Sequence, residues 1–328
     1  MRDRRVRMVF AASLAALCAQ PVWQARAQEA GKAEMRILVG FPAGGTVDAI
    51  ARSVADKLKN AAGGPVLIEN KPGAAGLVAT KNLLASPPDG TVLLLAGVSA
   101  VAIEPSIRPR EQFDPTRDLA PITLATRSEY GLAVANALNV RNLQELVQWA
   151  RANPSKAAFG SPGAGSPSHL FGVLFVRSAG IDMPHVPFKG GAPLITDLIG
   201  GHIPAGVSPL TDYIEHHRNG KLRLLATSGA ARSASAPDVA TFAEQGFKEA
   251  QASLWFAFWA PAKTPATIIA RRNREIIEAL QMPEVRERLF KLGQEPINST
   301  PEELAKLTAS EMAKWAPVVK ASGFTPEQ

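Results

Sequence analysis

Two glycine-rich turns hold the residues best suited to chemistry: Phe41-Pro42-Ala43-Gly44-Gly45-Thr46-Val47-Asp48 and Gly160-Ser161-Pro162-Gly163-Ala164-Gly165-Ser166-Pro167-Ser168-His169. Each follows a short apolar run and opens a segment of helical spacing. Such a layout aims unpaired backbone N–H groups, and the positive end of a helix dipole, at whatever stands in front of the turn. The chemistry on offer is capture of a small anion. Two such turns, more than a hundred residues apart, read as two half-sites for one ligand. Bond-breaking chemistry is poorly served. Gly160 and Gly165 have phosphate-loop spacing, but Ser166-Pro167 replaces the Lys-Ser/Thr that would hold phosphate and Mg²⁺. No Gly-x-Ser-x-Gly elbow is present. Ser168-His169 and His216-His217 are sequence neighbours, which suits neither a nucleophile–base pair nor a helical metal site.

Within the turns, each candidate has a bland reading beside the functional one. Gly44 and Gly45 either only permit a tight turn or also face the ligand. Thr46 caps the helix or donates to the ligand. Asp48 is negative where an anion would bind, so it reads first as a brace for the turn and second as a contact. Ser161, Gly163, Ala164 and Gly165 offer a hydroxyl and bare N–H groups. Ser166 is a helix cap or a contact, and His169 a packed histidine or a pocket residue. Asn70 and Ser99 are weaker candidates by position alone.

The elements that must position these turns alternate between strand and helix. Runs at 36–39, 66–68 and 92–96 read as strands, with Val47, Ile50, Ala51, Val54 and Leu58 on one helical face between the first two. Asn70-Lys71-Pro72-Gly73-Ala74-Ala75-Gly76 leads into a helix through Leu84. Near-continuous apolar strands of this kind suit a parallel sheet covered on both faces. The style repeats over 127–228: strands at 132–135, 157–160, 185–188, 203–207 and 222–227, and helices capped by Asn142 and by Ser166-Pro167. Pro204 predicts that the 203–207 strand is short or at an edge. Trp255, Phe256, Phe258 and Trp259 read as core, followed by helices over 265–280, 283–292 and 301–320. In an open parallel sheet the turns leaving the carboxyl ends of strands share one edge, where ligands bind. That groups 41–48, 70–76 and 97–99 on one edge, and 160–168, 188–191 and 208–211 on another.

The N-terminus reads as a secretory signal. Arg2, Arg4, Arg5 and Arg7 precede an apolar stretch from Met8 to Ala19, and Ala25-Arg26-Ala27 fits a cleavage site before Gln28. Cys18, the only cysteine, lies in that stretch and follows Leu17, which argues against a lipid anchor. Residues 1–27 hold five arginines and one aspartate, a net +4 of the chain's +7. The remainder is modestly basic and has no basic run suited to nucleic acid. Disulfides, thiolate chemistry and cofactors are not expected.

At these turns the chain resembles the substrate-binding proteins of tripartite tricarboxylate transporters, the Bug family of exported solute receptors. Beyond the two turns, with Ala51-Arg52 behind the first, the resemblance rests on Glu69 to Gly76, Pro88-Asp89-Gly90-Thr91, His185-Val186-Pro187-Phe188-Lys189-Gly190-Gly191 and Leu198-Ile199-Gly200-Gly201. It continues with Gly220-Lys221-Leu222-Arg223, Arg232, Pro237-Asp238-Val239, Glu244-Gln245-Gly246, Trp255 and Ala260 to Pro265. It implies an α/β fold of the type II periplasmic binding protein kind: two domains, 28–126 with 229–328 and 127–228, joined by two crossovers. The C-terminal helices would return to the first domain. A cleft between the domains would close on a small carboxylate, held by Gly44, Gly45, Thr46 and Asp48 on one side. Ser161, Gly163, Ala164, Gly165, Ser166, His169 and Ser208 would hold it on the other. It further implies a periplasmic monomer, cleaved after Ala27, that hands its ligand to membrane permease subunits. A receptor of the same fold that signals to a sensor kinase is the alternative, and an exported hydrolase a distant third. Two departures stand out. Phe188 replaces a frequent tyrosine, and Ser208 falls where an aspartate is common. An aspartate there could receive a ligand amine, so Ser208 favours a plain carboxylate over an amino acid.

Overall fold

The computed structural model describes residues 34–62, 64–109 and 113–325. The secretory signal, Cys18 and the cleavage site lie outside them. The strands are β1 Met35–Val39, β2 Val66–Asn70, β3 Val92–Gly97, β4 Leu119–Val134, β5 Phe159–Ser161, β6 His185–Pro187, β7 Ala205–Pro209, β8 Arg223–Thr227, β9 Ser253–Pro261 and β10 Glu295–Pro296. The helices are α1 Thr46–Ala62, α2 Leu77–Leu84, α3 Glu104–Ile107, α4 Pro115–Asp118, α5 Leu143–Ala152, α6 Pro167–Ala179, α7 Gly191–Ile199, α8 Ile214–Arg218, α9 Ala266–Gln281, α10 Pro283–Lys291 and α11 Pro301–Ser322. Sequence periodicity located most of the longer ones within a few residues. It did not mark α3, α4, α7, α8 or β10, it read β9 only as core, and of β4, a strand of 16 residues, only the end near 132–135 was read.

All strands join one curled sheet in the order β2-β1-β3-β9-β4-β7-β5-β6, with β8 and β10 also pairing with β4. β4 is the spine. Its first part lies between β9 and β10, and its last five residues between β7 and β8. β7 is short, as Pro204 predicts, but it is interior, paired with both β4 and β5. Pro204 sits just ahead of the strand, where its missing N–H removes no ladder bond, and its carbonyl accepts from Ala135 (3.1 Å).

Strand direction orients the two edges. β1 runs parallel to β2 and β3. β3 is antiparallel to β9, and β9 to β4, so β3 and β4 run the same way. β7 is antiparallel to β4 and parallel to β5. The carboxyl ends of β3 and β7 therefore point toward each other. Gly97 is level with Phe256 and hence with Thr126 of β4, while Pro209 is level with Tyr130. Four residue steps of β4 separate the two edges, about 13 Å at strand rise.

Burial follows the pattern read from sequence. Val47, Ile50, Ala51, Val54 and Leu58 pack α1 against Ile37, Val39, Leu93 and Leu95. A second cluster gathers Leu194, Leu198, Leu210, Tyr213 and Leu224 under β7 and β8. The largest unites both halves of the sheet, because Trp315, Val318 and Val319 of α11 share it with Phe171 and Phe175 of α6. Arg177 adds a hydrogen bond to the Pro317 carbonyl (3.0 Å). The last helix thus touches both halves, not only the first, because its apolar residues serve both faces.

The chain returns to the first half of the sheet through Ser228. Its hydroxyl oxygen accepts from Tyr130 N–H (2.9 Å) and its proton goes to the Ala252 carbonyl (2.6 Å). Its backbone bonds the same two residues: Ser228 N–H to Tyr130 O (3.0 Å) and Ala252 N–H to Ser228 O (3.1 Å). This buried serine pins the return path to β4. Ser228→Ala should strand a buried Tyr130 N–H and lower unfolding free energy by about 2 kcal/mol, measured by denaturant titration.

Candidate functional site

At the first turn, Gly44 takes φ +84°, a conformation that favours glycine. Asp48, one turn into α1, is buried. Its Oδ2 accepts from Gly44 N–H (2.9 Å) and from Arg52 Nε (2.8 Å), and its Oδ1 from Asn70 Nδ2 (3.1 Å). Asn70 also donates to the Phe41 carbonyl (3.0 Å). Arg52, with help from Gly44 and Asn70, holds the Asp48 carboxyl down to about 2. The charge is therefore compensated from inside, and the acid serves as the brace. Asn70 is its partner. The Gly44 N–H is engaged; Gly45 donates its N–H to the Pro42 carbonyl (3.4 Å) and accepts from Ala49 (3.0 Å) at the cap position. Thr46 is exposed at the first helical position. The N–H groups of Thr46 and Val47 have no acceptor within the helix.

The second turn is built by different means to the same end. Ser161, at the end of β5, is fully buried. Its Oγ donates to the Gly163 carbonyl (3.1 Å) and meets His185 Nε2 at 2.8 Å, so that nitrogen carries its proton. Gly165, at φ +70°, donates its N–H to His169 Nδ1 (3.0 Å). The rings of His169 and His185 stack with centroids 3.7 Å apart. Burial lowers His169 to about 4; burial, then the neighbouring His169, does the same to His185. Both are neutral near pH 7, which is the state the Gly165 bond requires. Ser166 caps α6 by accepting from His169 N–H (3.2 Å). Capping uses a lone pair and leaves its proton for another acceptor. Among the described residues, the N–H groups of Gly163 and Ala164 have no partner. Phe324, just past α11, packs its ring where a side chain at Gly165 would stand.

Site residues from sequence thus divide by what they touch. Asp48, Gly44, Ser161, Gly165 and His169 are tied up within their own turns. Gly45, Thr46, Gly163, Ala164 and Ser166 keep donors or open faces. Ser99 opens the π-helical turn Ser99–Ile103 directly after β3 and is half-buried. Ser208 is fully buried, and its hydroxyl donates to Asp212 Oδ2. Position 208 itself carries no acid, but Asp212 brings one beside it through the 3₁₀ turn Leu210–Asp212. His185 was also missed. It stands on β6 opposite Phe159, a pairing visible only once the strands are in register. Among the described residues no group of acids or histidines could hold a metal ion, and no helix is long and apolar enough to cross a membrane.

The model of the tripartite tricarboxylate transporter family receptor matches residues 50–324. This chain belongs to that family. It is 36% identical over 290 residues to protein BugT of Bordetella pertussis strain Tohama I, covering 88% of this chain and 89% of that protein. It also matches solved structures. One is MatC from Rhodopseudomonas palustris with bound malate, at 27% identity and TM-score 0.71, covering 87% of this chain and 98% of that one. Another is an R. palustris protein with adipate, at 28% identity and TM-score 0.74, covering 90% and 98%. The fold is that of the family's solute-binding receptors, which are periplasmic.

The histidine pair makes stability depend on pH. Unfolded histidines titrate near 6.5. Their contribution is complete above that value and is lost as pH falls toward the folded value of about 4. Glu129, pushed up by burial to about 7, acts with opposite sign over an overlapping range. The comparison with a variant isolates the histidine. His169→Asn keeps an acceptor near the Nδ1 position. It should remove up to about 1.4 kcal/mol per pH unit of this loss, read from unfolding curves between the two pH limits.

Proposed function

We propose that this protein captures a small carboxylate between its two glycine turns and delivers it to the membrane permease subunits of a tripartite tricarboxylate-type transporter. One observation carries the reading. The two carboxyl edges oppose each other across the middle of β4, and each presents backbone N–H groups at a helix start while the acid or histidine behind it is turned inward. Uncommitted donors at the two helix starts, with Asp48 compensated from inside and the histidines neutral, are what a carboxylate needs. The malate and adipate of the two related structures support that ligand class. Export, with cleavage after Ala27, is read from the N-terminal sequence.

The contact residues in this proposal are Gly45, Thr46, Gly163, Ala164 and Ser166, with Gly44, Asp48, Ser161, Gly165, His169 and Ser208 shaping the site around them. Residues 28–126 with 229–328 form one body and 127–228 the other. They close by hinge motion at β4 and at Ser228. Driving a mostly open receptor to a mostly closed one takes about 5 kcal/mol of differential binding. Three or four charge-assisted hydrogen bonds, at roughly 1.5–3 kcal/mol each, suffice. The arrangement binds without turnover, since the serines and histidines of the second turn hold one another.

A thermal-shift screen of mono-, di- and tricarboxylates, followed by calorimetry, tests the reading; a ligand at a hundred times its Kd should stabilise by about 2.7 kcal/mol. A protein that responds to none of them is not this receptor. Gly45 supplies the residue-level test. A Cβ there would stand 3.5 Å from Pro42 O, an ordinary contact, and its φ is not one that demands glycine. Gly45→Val should therefore fold normally, fill the space before α1, and weaken binding by roughly ten-fold or more, equivalent to about 1.4 kcal/mol.

A further inference from the structure

Beyond the carboxyl end of β7 stands an acid that the carboxylate clamp does not use. Asp212 closes the turn Leu210–Asp212. Its Oδ2 accepts from Ser208 and lies 2.8 Å from where a Cβ on Gly191 would be. Among the described residues no lysine, arginine or histidine pairs with it. Lys189, in the loop between β6 and α7, is exposed, and among the described residues it pairs with no acid.

Position ties this carboxyl group to the second glycine turn. Phe188 N–H bonds the Ser161 carbonyl (2.9 Å), and Gly190 N–H bonds the Pro162 carbonyl (3.2 Å). The loop leading into α7 is thus laced to the loop leading into α6. α7 starts at Gly191 with Gly190 at φ +108° and no side-chain cap. Its first turn would favour an anion, and Asp212 is the anion already beside it. Two helix starts consequently lie next to each other on this edge. The one at α6 is open, and the one at α7 is occupied by a carboxyl group of the chain itself.

Resting on the receptor reading above, we infer that Asp212 determines specificity: it excludes a second carboxylate from the α7 side of the site and selects a carboxylate whose far end carries a protonated amine. A second ligand carboxylate brought beside Asp212 meets a like charge that no cation compensates. At a few ångströms that repulsion amounts to roughly ten- to hundred-fold in affinity. An ammonium group brought to the same place gains a charge-assisted hydrogen bond. Burial pushes the Asp212 carboxyl upward from the ordinary aspartate range, and a bound cation would relieve that penalty.

The test compares ligands matched in length and differing only at one end. Adipate, hexanoate and ε-aminocaproate form one set; succinate, butyrate and γ-aminobutyrate form a shorter one. Calorimetry on the wild-type protein should rank the amino acid tightest and the dicarboxylate weakest in the set that fits, roughly ten-fold or more apart. Asp212→Asn keeps an acceptor for Ser208 and removes the charge. It should narrow or invert that ranking. A dicarboxylate that binds the wild-type protein as tightly as its amino partner overturns the inference, as does a ranking unchanged in a folded Asp212→Asn. The wild-type ranking decides the question even where the variant does not fold. Failure of every carboxylate, in these sets and in the broader screen, would instead overturn the receptor reading and take this inference with it.

Discussion

β4 hydrogen-bonds antiparallel to β9 through its first part and antiparallel to β7 through its last five residues. Because those partners belong to opposite halves of the sheet, a single continuous backbone fixes where both carboxyl edges end and which way they face. Neither half could turn its strands around without breaking a ladder along β4. The glycine turns inherit that geometry. A helix start points at a ligand only if the strand before it ends at the right level, and the level is set by register on one shared strand. Ser228 repeats the constraint at the second passage, with four hydrogen bonds to Tyr130 and Ala252.

Around that frame, charge is managed by turning it inward. A carboxylate beside an anion site is a contradiction unless something compensates it, and Arg52, Gly44 and Asn70 do so for Asp48. The second turn uses neutral groups instead. Two stacked histidines, held uncharged by burial, supply an acceptor for Gly165 and a donor for Ser161. The two lips reach the same electrostatic outcome by unrelated chemistry. Asp48 keeps its charge down to about pH 2, whereas protonation of His169 removes the acceptor of the Gly165 bond. Asp212 follows neither route, which is why it stands apart from the bracing residues.

Much of this was legible in the amino-acid order because it is local. Apolar spacing marked α1, Asn142 and Ser166-Pro167 marked helix starts, and glycine pairs marked the turns. Asp48 as a brace follows from its place one turn into a helix whose dipole it suits. What sequence could not give was partnership between distant segments. β4 looked like a fragment near 132–135, since its first part includes Pro121 and polar residues that a periodicity count discards. His185 faces Ser161 across a parallel pair, and Asp212 reaches Ser208 through a turn of three residues. The family resemblance pointed to Ser208 as a position that lacks a common acid. Only folding in space shows that a neighbour supplies one.

Phe324 lies against Gly165, although 158 residues separate them in the chain. The second turn reads as a local motif, yet its packing is completed by nearly the last described residue. This contact is therefore among the latest available to a chain folding from its N-terminus, and loop closure over such a span is slow to nucleate. The second lip of the site therefore stays unfinished until the last helix has packed, whichever part of the fold forms first.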